Sequence, residues 1–97
     1  MFARVTTLQF KVQGVDEAIK IYKESIVPVT RSQKGYKGLY FILDRKTGKG
    51  ASITLWETEE DAIANEQNRY YQEQIVKHMH LYAKPPIRER YEVIFQD

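Results

Sequence analysis

The fold is decided by residues 35–62, which read GYKGLYFILDRKTGKGASITLWETEEDA. Residues 36–43 alternate two sets of side chains that are both apolar or aromatic, which predicts a strand without a solvated face. The polar run 44–50 contains two glycines and predicts a hairpin loop, so residues 51–57 become the returning strand. Thr58 followed by Asp61 resembles a capping box, and a helix is expected to begin there.

The residues outside this hairpin predict one further strand and helix before it and a closing strand after it. Residues 3–10 alternate as a strand does. Apolar residues from Val15 to Ile26 recur at helical spacing, and Pro28 is expected to stop that helix. The helix after Thr58 is expected to bend near residues 65–68. Pro85-Pro86 is expected to end the helical region, and residues 88–96 alternate as the last strand.

The resulting order is strand, helix, strand, strand, helix, strand. It predicts an α+β, ferredoxin-like βαββαβ fold, with a four-stranded antiparallel sheet and two helical segments on one face. The other face would then expose the apolar side chains of residues 36–43, at about 1.5–3 kcal/mol for each large residue. We therefore expect a homodimer formed through the open sheet face, the arrangement called a dimeric α+β barrel.

Length and composition narrow the classes of function. The 97 residues fit a single domain, 1–97. The net charge is only +2 and Lys and Arg are scattered, so no nucleic-acid partner is expected. The absence of cysteine excludes disulfides and fits a cytoplasmic location. No run approaches the roughly 20 apolar residues of a membrane span, and the first residues lack the pattern of a secretory signal. No membrane partner is expected.

Residues 35–62 resemble the antibiotic biosynthesis monooxygenase domain. The segments that carry the resemblance are Gly35-Tyr36-Lys37-Gly38-Leu39-Tyr40, Leu43-Asp44-Arg45, Thr47-Gly48-Lys49 and 52–62 with its Trp56-Glu57 strand end. The resemblance implies the dimeric α+β barrel. The family includes oxygenases that oxidise aromatic compounds without metal or flavin, haem-degrading members, and proteins with no known reaction.

The haem-degrading branch has an Asn in the first strand, a Trp in the helix after the Trp-Glu strand end, and a later His that binds iron. The corresponding places in this chain hold Thr6, Thr7 or Gln9 in the strand, Asn65 in the helix, and His78. Of the three residues in that pattern, only the iron-binding histidine has a candidate in this chain, which is His78. No cofactor and no metal is predicted.

Four residues are the candidates for a site between sheet and helices. Trp56 and His78 are the candidate catalytic residues, and Tyr71 and Tyr40 the candidate substrate-binding residues. Each has a packing alternative: Trp56 as a core anchor, His78 as a core histidine with satisfied hydrogen bonds, and Tyr40 as part of the dimer interface. His78 and His80 point about 200° apart on a helix and cannot chelate one ion together.

Three functions follow as hypotheses. The first is a cofactor-independent monooxygenase that oxidises a small aromatic or quinol compound with molecular oxygen. The second is a non-catalytic dimer that binds or senses a small molecule, since no clear acid, base or cofactor motif is present. The third is a haem-degrading monooxygenase.

Overall fold

The computed structural model describes all 97 residues and contains one four-stranded antiparallel sheet with helices on one of its faces. The strands are β1 Phe2–Phe10, β2 Tyr36–Leu43, β3 Lys49–Trp56 and β4 Tyr82–Glu92. They lie side by side in the order β2-β3-β1-β4, and each neighbouring pair is antiparallel. This confirms the predicted ferredoxin-like arrangement.

The helices form two groups, one before and one after the β2–β3 hairpin in the sequence. The first group is α1 Val15–Ile21, a π-helical turn Tyr22–Ile26 and α2 Val27–Arg31; the second is α3 Glu59–Glu66 and α4 Arg69–His78. The hydroxyl of Thr58 accepts a hydrogen bond from the Asp61 amide at 3.0 Å, which confirms the predicted helix start. The predicted bend is also confirmed, because Asn68 caps a new helix by accepting from the Tyr70 amide at 2.7 Å. No helix of the chain is long and apolar enough to span a bilayer.

The prediction that Pro28 stops the first helix is wrong. The helical backbone continues to Arg31, and Pro28 lies in the first turn of α2. Proline is tolerated in a first turn, where its missing N–H costs no hydrogen bond. The π-helical turn just before it breaks the regular α-helical pattern at the place where the ring would otherwise collide with a carbonyl.

The predicted bounds of the last strand are also wrong. β4 begins at Tyr82 and ends at Glu92, so Pro85 and Pro86 lie within it rather than at a helix end. The helical backbone has already ended at Leu81. β4 is an edge strand, and its pairing with β1 shifts in register between Thr7 and Gln9, opposite the prolines. Proline is accepted at such edges and bulges because no ladder hydrogen bond is lost there.

The two faces of the sheet differ in burial. The face under the helices contributes Leu8 and Phe10 to a core that also includes Val15, Ala18 and Leu81. The opposite face exposes large side chains, with exposed fractions of 60% for Tyr40, 52% for Ile42, 61% for Ile87 and 50% for Tyr91. As expected from the sequence, one face of the sheet is apolar and uncovered in the single chain.

Candidate functional site

A cavity of about 80 Å³ lies between the sheet and the helices. One water needs roughly 10–15 Å³ of such a cavity, so the space accommodates several waters or one small compact molecule. β1 and β3 supply polar lining residues, which include Arg4, Thr6, Ser52 and Thr54. The helices and the start of β4 supply further lining residues, which include Tyr22, Asn65, Tyr71, Gln74, His78 and Tyr82.

His78 lies at the C-terminal end of α4 and is almost fully buried, with 3% of its surface exposed. Its Nε2 atom is 2.9 Å from the carbonyl oxygen of Ala18. Because a carbonyl can only accept, Nε2 must carry the hydrogen, which leaves Nδ1 unprotonated in the neutral ring. Burial lowers the pKa of His78 and outweighs the opposing effect of the Ala18 bond. The imidazole is therefore neutral near pH 7 and can accept a proton at Nδ1.

Aromatic rings pack around His78 and fix its orientation. The ring of Phe10 is 5.0 Å from the imidazole between centroids, and the rings of Tyr22 and Tyr82 are 6.1 and 6.2 Å away. His80 does not join this group, since it is exposed and contacts Glu17 at 3.3 Å. The two histidines occupy different environments, in agreement with their predicted divergence on the helix.

Tyr22 and Tyr82 are hydrogen-bonding groups rather than bases. The hydroxyl of Tyr22 is 2.7 Å from that of Ser52, and its ring stacks on Phe41 with a centroid distance of 3.9 Å. Burial raises the pKa of Tyr22, and it raises the pKa of Tyr82 to about 12. Both phenols stay protonated at neutral pH. Tyr22 is one of the residues between Val15 and Ile26 that recur at helical spacing, and this spacing does not indicate its pairing with Ser52.

Arg4 lies in β1 with its side chain only 5% exposed. Its guanidinium carbon is 4.6 Å from the ring centre of Tyr71 and 5.1 Å from that of Trp56. The Nη1 atom is 3.7 Å from Oε2 of Glu66, too long for a hydrogen bond, and neither atom has another partner. From the sequence, two interpretations of Arg4 are open: it binds a carboxylate or a quinone oxygen, or it is one of the solvated surface charges. Its place in the same alternating set as Leu8 and Phe10 was the signal that it points under the helices.

Glu66 is buried and contacts three arginines. Its Oε1 atom is 3.1 Å from Arg88 Nε and 3.5 Å from Arg90 Nη1, in addition to the longer contact with Arg4. We call Arg4, Glu66, Arg88 and Arg90 the arginine cluster. Burial lowers the pKa of Arg4 more than the nearby Tyr71 and Glu66 raise it. The guanidinium nevertheless remains charged at any physiological pH.

Tyr71 and Trp56 lie at the arginine end of the cavity. Tyr71 lines the cavity, its ring lies against Arg4, and its hydroxyl accepts a hydrogen bond from Arg88 Nη1 at 3.2 Å. Trp56 is fully buried and lies outside the cavity lining, and its indole Nε1 has no hydrogen-bond partner. It borders Arg4 on one side and meets the ring of Tyr36 edge-on. Trp56 therefore reaches the cavity only through Arg4.

Tyr40 lies on the other side of the sheet from the remaining candidates. Its neighbours Leu39 and Phe41 face the helices, so the Tyr40 side chain points to the open face, where it is exposed. Within one chain it cannot contact a ligand held beside Tyr71 and His78. Its position fits the interface alternative that the sequence left open.

Several solved structures superimpose on this chain over nearly its whole length. A structure named "putative antibiotic biosynthesis monooxygenase" from Deinococcus radiodurans superimposes with a TM-score of 0.82 at 15% identity, over 100% of this chain and 96% of that one. A structure of the same name from Nitrosomonas europaea gives a TM-score of 0.80 at 14% identity, over 98% and 100%. This chain has their fold. The ferredoxin-like fold of the single chain is thus confirmed, and at these identities the likeness establishes the antibiotic biosynthesis monooxygenase fold alone.

Further structural and sequence comparisons name no activity. A conserved protein from Methanosarcina mazei also shares the fold, with a TM-score of 0.79 at 15% identity over 93% of this chain and 89% of that one. Two uncharacterized proteins, from two strains of Mycobacterium tuberculosis, are 27% identical over 67 residues, which is 69% of this chain. The matched residues span only 30% of the length of those relatives. No protein-family model matches the chain.

Proposed function

We propose that the protein is an antibiotic biosynthesis monooxygenase-like enzyme that binds a small aromatic or quinol compound in the cavity and oxidises it with molecular oxygen, without a cofactor. The observation that carries this proposal is the neutral, oriented His78, which lines a cavity of small-molecule size together with Tyr22, Tyr71 and Tyr82. The fold shared with structures of that name supports the same class.

The proposed step begins with proton transfer from a substrate hydroxyl to Nδ1 of His78. A phenolate gives up an electron to oxygen more readily than the phenol does, so deprotonation lowers the barrier to the first transfer. When oxygen then adds at the ring CH carbon para to the phenolate oxygen, that carbon keeps one oxygen atom as a carbonyl oxygen. The second oxygen atom leaves as water with the hydrogens of that carbon and of the substrate hydroxyl, so the phenol becomes a quinone. The substrate thus supplies all four electrons and no external reductant is needed.

Incubation of a panel of phenols and hydroquinones under labelled oxygen tests the proposal. A turned-over substrate should gain one labelled oxygen in air and give no product under anaerobic conditions. His78→Gln should reduce the rate at least tenfold, because general bases contribute roughly 10²–10⁴-fold. His80→Gln, which removes the exposed histidine outside the cavity lining, should leave the rate unchanged. The absence of any oxygen-dependent product across the panel would remove the monooxygenase proposal.

A second candidate function is binding or sensing without turnover. The observation that favours it is the tight packing of His78 among several rings and against Ala18, which holds the imidazole but leaves it little freedom to move protons to solvent. In that case a phenol should raise the melting temperature of the protein and be recovered unchanged after long incubation in air. Product formation would decide for the enzyme.

Haem degradation, the third hypothesis, does not fit the residues present. Nε2 of His78 is already bonded to the Ala18 carbonyl, so this atom could bind iron only if that hydrogen bond were broken. The cavity of about 80 Å³ is also far too small for a porphyrin. We expect hemin to give no Soret shift with this protein, and a saturable shift would contradict this reading.

The partner we propose is a second copy of the chain, bound through the open sheet face. Tyr40, Ile42, Ile87 and Tyr91 stand exposed on that face, and each large side chain left in water costs about 1.5–3 kcal/mol. Two further large apolar side chains, Ile94 and Phe95, follow β4 and are 83% and 82% exposed. Isologous pairing would cover this surface in both copies. We also propose a cytoplasmic location, which the cysteine-free sequence fits.

A further inference from the structure

We propose that Arg4 binds the carboxylate of a small aromatic acid, so that the ligand of the cavity is an aromatic acid rather than a neutral phenol. This inference rests on the proposed function only in that the cavity takes a small aromatic molecule. Turnover is not required for it. The carboxylate would lie at the arginine end and the ring would extend toward His78.

The first observation is an unpartnered donor at the cavity wall. Arg4 lines the cavity, is 4% exposed, and its Nη1 atom makes no hydrogen bond. A buried donor without an acceptor costs free energy, and more so when it is charged. A carboxylate is the group that best satisfies it, because guanidinium and carboxylate pair in a planar, two-bond geometry. The rings of Tyr71 and Trp56 hold the guanidinium in position for such pairing.

The second observation is the charge balance of the arginine cluster. Three guanidinium groups face one carboxylate, since Glu66 is the acidic partner of Arg4, Arg88 and Arg90. The cluster thus carries an excess of two positive charges. Burial also lowers the pKa of Arg4 despite the presence of Glu66, so the protein alone does not compensate this charge fully. The side chains of Arg88 and Arg90 are 44% and 35% exposed, so water screens much of their charge. A ligand anion would therefore compensate mainly the buried charge of Arg4.

Glu66 could be thought to satisfy Arg4 by itself. The carboxylate is held through Oε1 by Arg88 and Arg90, and its Oε2 stays 3.7 Å from Arg4. A movement that closed this gap would draw Glu66 away from two other cations. It would also leave the net charge of the cluster as it is. The excess positive charge therefore favours a second anion whichever of these positions Glu66 takes.

Asn65 indicates a second polar group on the ligand. Its Oδ1 atom is buried in the cavity lining and has no donor. A ligand hydroxyl would satisfy this acceptor, and a ring that carries both a hydroxyl and a carboxylate would use both unpartnered groups. Hydroxybenzoates are the simplest compounds with this pattern, and they are small enough to serve as probes for a cavity of this size.

Isothermal titration calorimetry with 3-hydroxybenzoate and its neutral analogue 3-hydroxybenzamide tests the inference. The wild-type protein should bind the acid at least about tenfold more tightly than the amide, because a charge-assisted pair is worth at least the 1.4 kcal/mol of a tenfold change. Arg4→Met should abolish this preference while binding of the amide persists. Arg69→Met, which removes an exposed arginine of α4, should leave the preference intact.

Arg4→Lys keeps the protein testable if Arg4→Met does not fold. It retains the charge and loses the planar fork, so it should bind the acid more weakly than the wild type does but still prefer it to the amide. Equal affinity of the wild type for acid and amide overturns the Arg4 inference and leaves the cavity proposal standing, as does a preference that survives Arg4→Met. Failure of both probes to bind at millimolar concentration overturns the inference. The oxygen-labelling assay with neutral phenols then still decides the proposed function independently.

Discussion

A single buried histidine makes the stability of this protein depend on pH. Burial holds the pKa of His78 below its ordinary value of about 6.5, so below that pH the unfolded chain binds a proton that the folded chain resists. The free energy of unfolding should therefore be constant with respect to His78 above pH 6.5. It should fall as the pH drops from there to the folded-state pKa, by at most about 1.4 kcal/mol per pH unit.

Urea denaturation of the wild type and His78→Gln between pH 8 and pH 5 measures this effect. The variant should lose the part of the decline that belongs to His78, although it is less stable at pH 8 because the Ala18 bond and ring packing are disturbed. His80→Gln removes the other, exposed histidine and is the matched control. Parallel curves for the wild type and His78→Gln would contradict the prediction.

Trp56 is expected to act on stability before it acts on chemistry. It is fully buried between Tyr36 and Arg4, and truncation of a buried tryptophan to alanine costs about 3–5 kcal/mol. Trp56→Phe keeps a ring against the guanidinium and leaves no unpartnered indole N–H, so it should cost much less. Chemical denaturation gives both values. Trp56→Ala with near wild-type stability but no activity would instead indicate a direct role in the reaction.

The residues that the sequence could not assign are those whose role depends on contacts between distant strands and helices. His78 was recognised because histidine is the side chain that titrates near neutral pH, and Tyr71 because it shares a helical stripe with it. The sequence did not distinguish Arg4 from Arg69, Arg88 and Arg90, since most charged side chains of a small domain are solvated. The burial of Arg4 depends on Tyr71 and Trp56, from α4 and β3, whose rings both pack against the guanidinium.

The alternation of side chains in β2 and β3 correctly predicted the hairpin, and the cap at Thr58 correctly predicted the helix that follows. Predictions from the local sequence were wrong at the prolines. Pro28 and Pro85-Pro86 were treated as helix stops, whereas the first lies in a first helical turn and the pair lies in an edge strand with a register shift. Proline is compatible with all three places, and only the sheet order and the π-helical turn distinguish them.

Asn68 should link the stability of α4 to the shape of the cavity. Its side chain caps α4, and its amide also donates to Gln33 at 3.3 Å. Asn68→Ala should cost about 1 kcal/mol, as loss of a helix cap usually does. Because α4 supplies Tyr71, Gln74 and His78 to the cavity, the same change should weaken binding of a phenol or hydroxybenzoate.

Thr58→Ala is the matched control for this cap. It removes the corresponding hydrogen bond at the start of α3 and should cost a similar free energy of unfolding. α3 contributes only Asn65 to the cavity lining, so ligand affinity should change less than in Asn68→Ala. Thermal and chemical denaturation with parallel titrations compare the two. An equal loss of affinity in both variants would show that the cavity responds to global stability alone.

The sheet separates the two sides of the molecule, the helix side and the open side, which differ in what they bind in our proposals. The helix side encloses the cavity, and the open side presents the apolar residues for which we propose a second chain. Since Tyr40 and Ile87 lie on the open side and line no part of that cavity, glutamate at both positions should prevent dimerisation and leave ligand binding in the monomer. In sedimentation velocity at micromolar concentration, the wild type should have twice the 11.5 kDa mass of the chain and the variant the mass of one chain.

The helix side offers a control of equal exposure for this experiment. Val76 and Met79 are 59% and 58% exposed, and glutamate there adds the same charge without touching the open face, so this variant should remain dimeric. A monomeric wild type, or a double variant that still dimerises, would refute the open-face dimer. If the Tyr40/Ile87 variant is monomeric and has also lost the ligand, the second chain must shape the cavity through the sheet, and the separation of the two surfaces argued here fails.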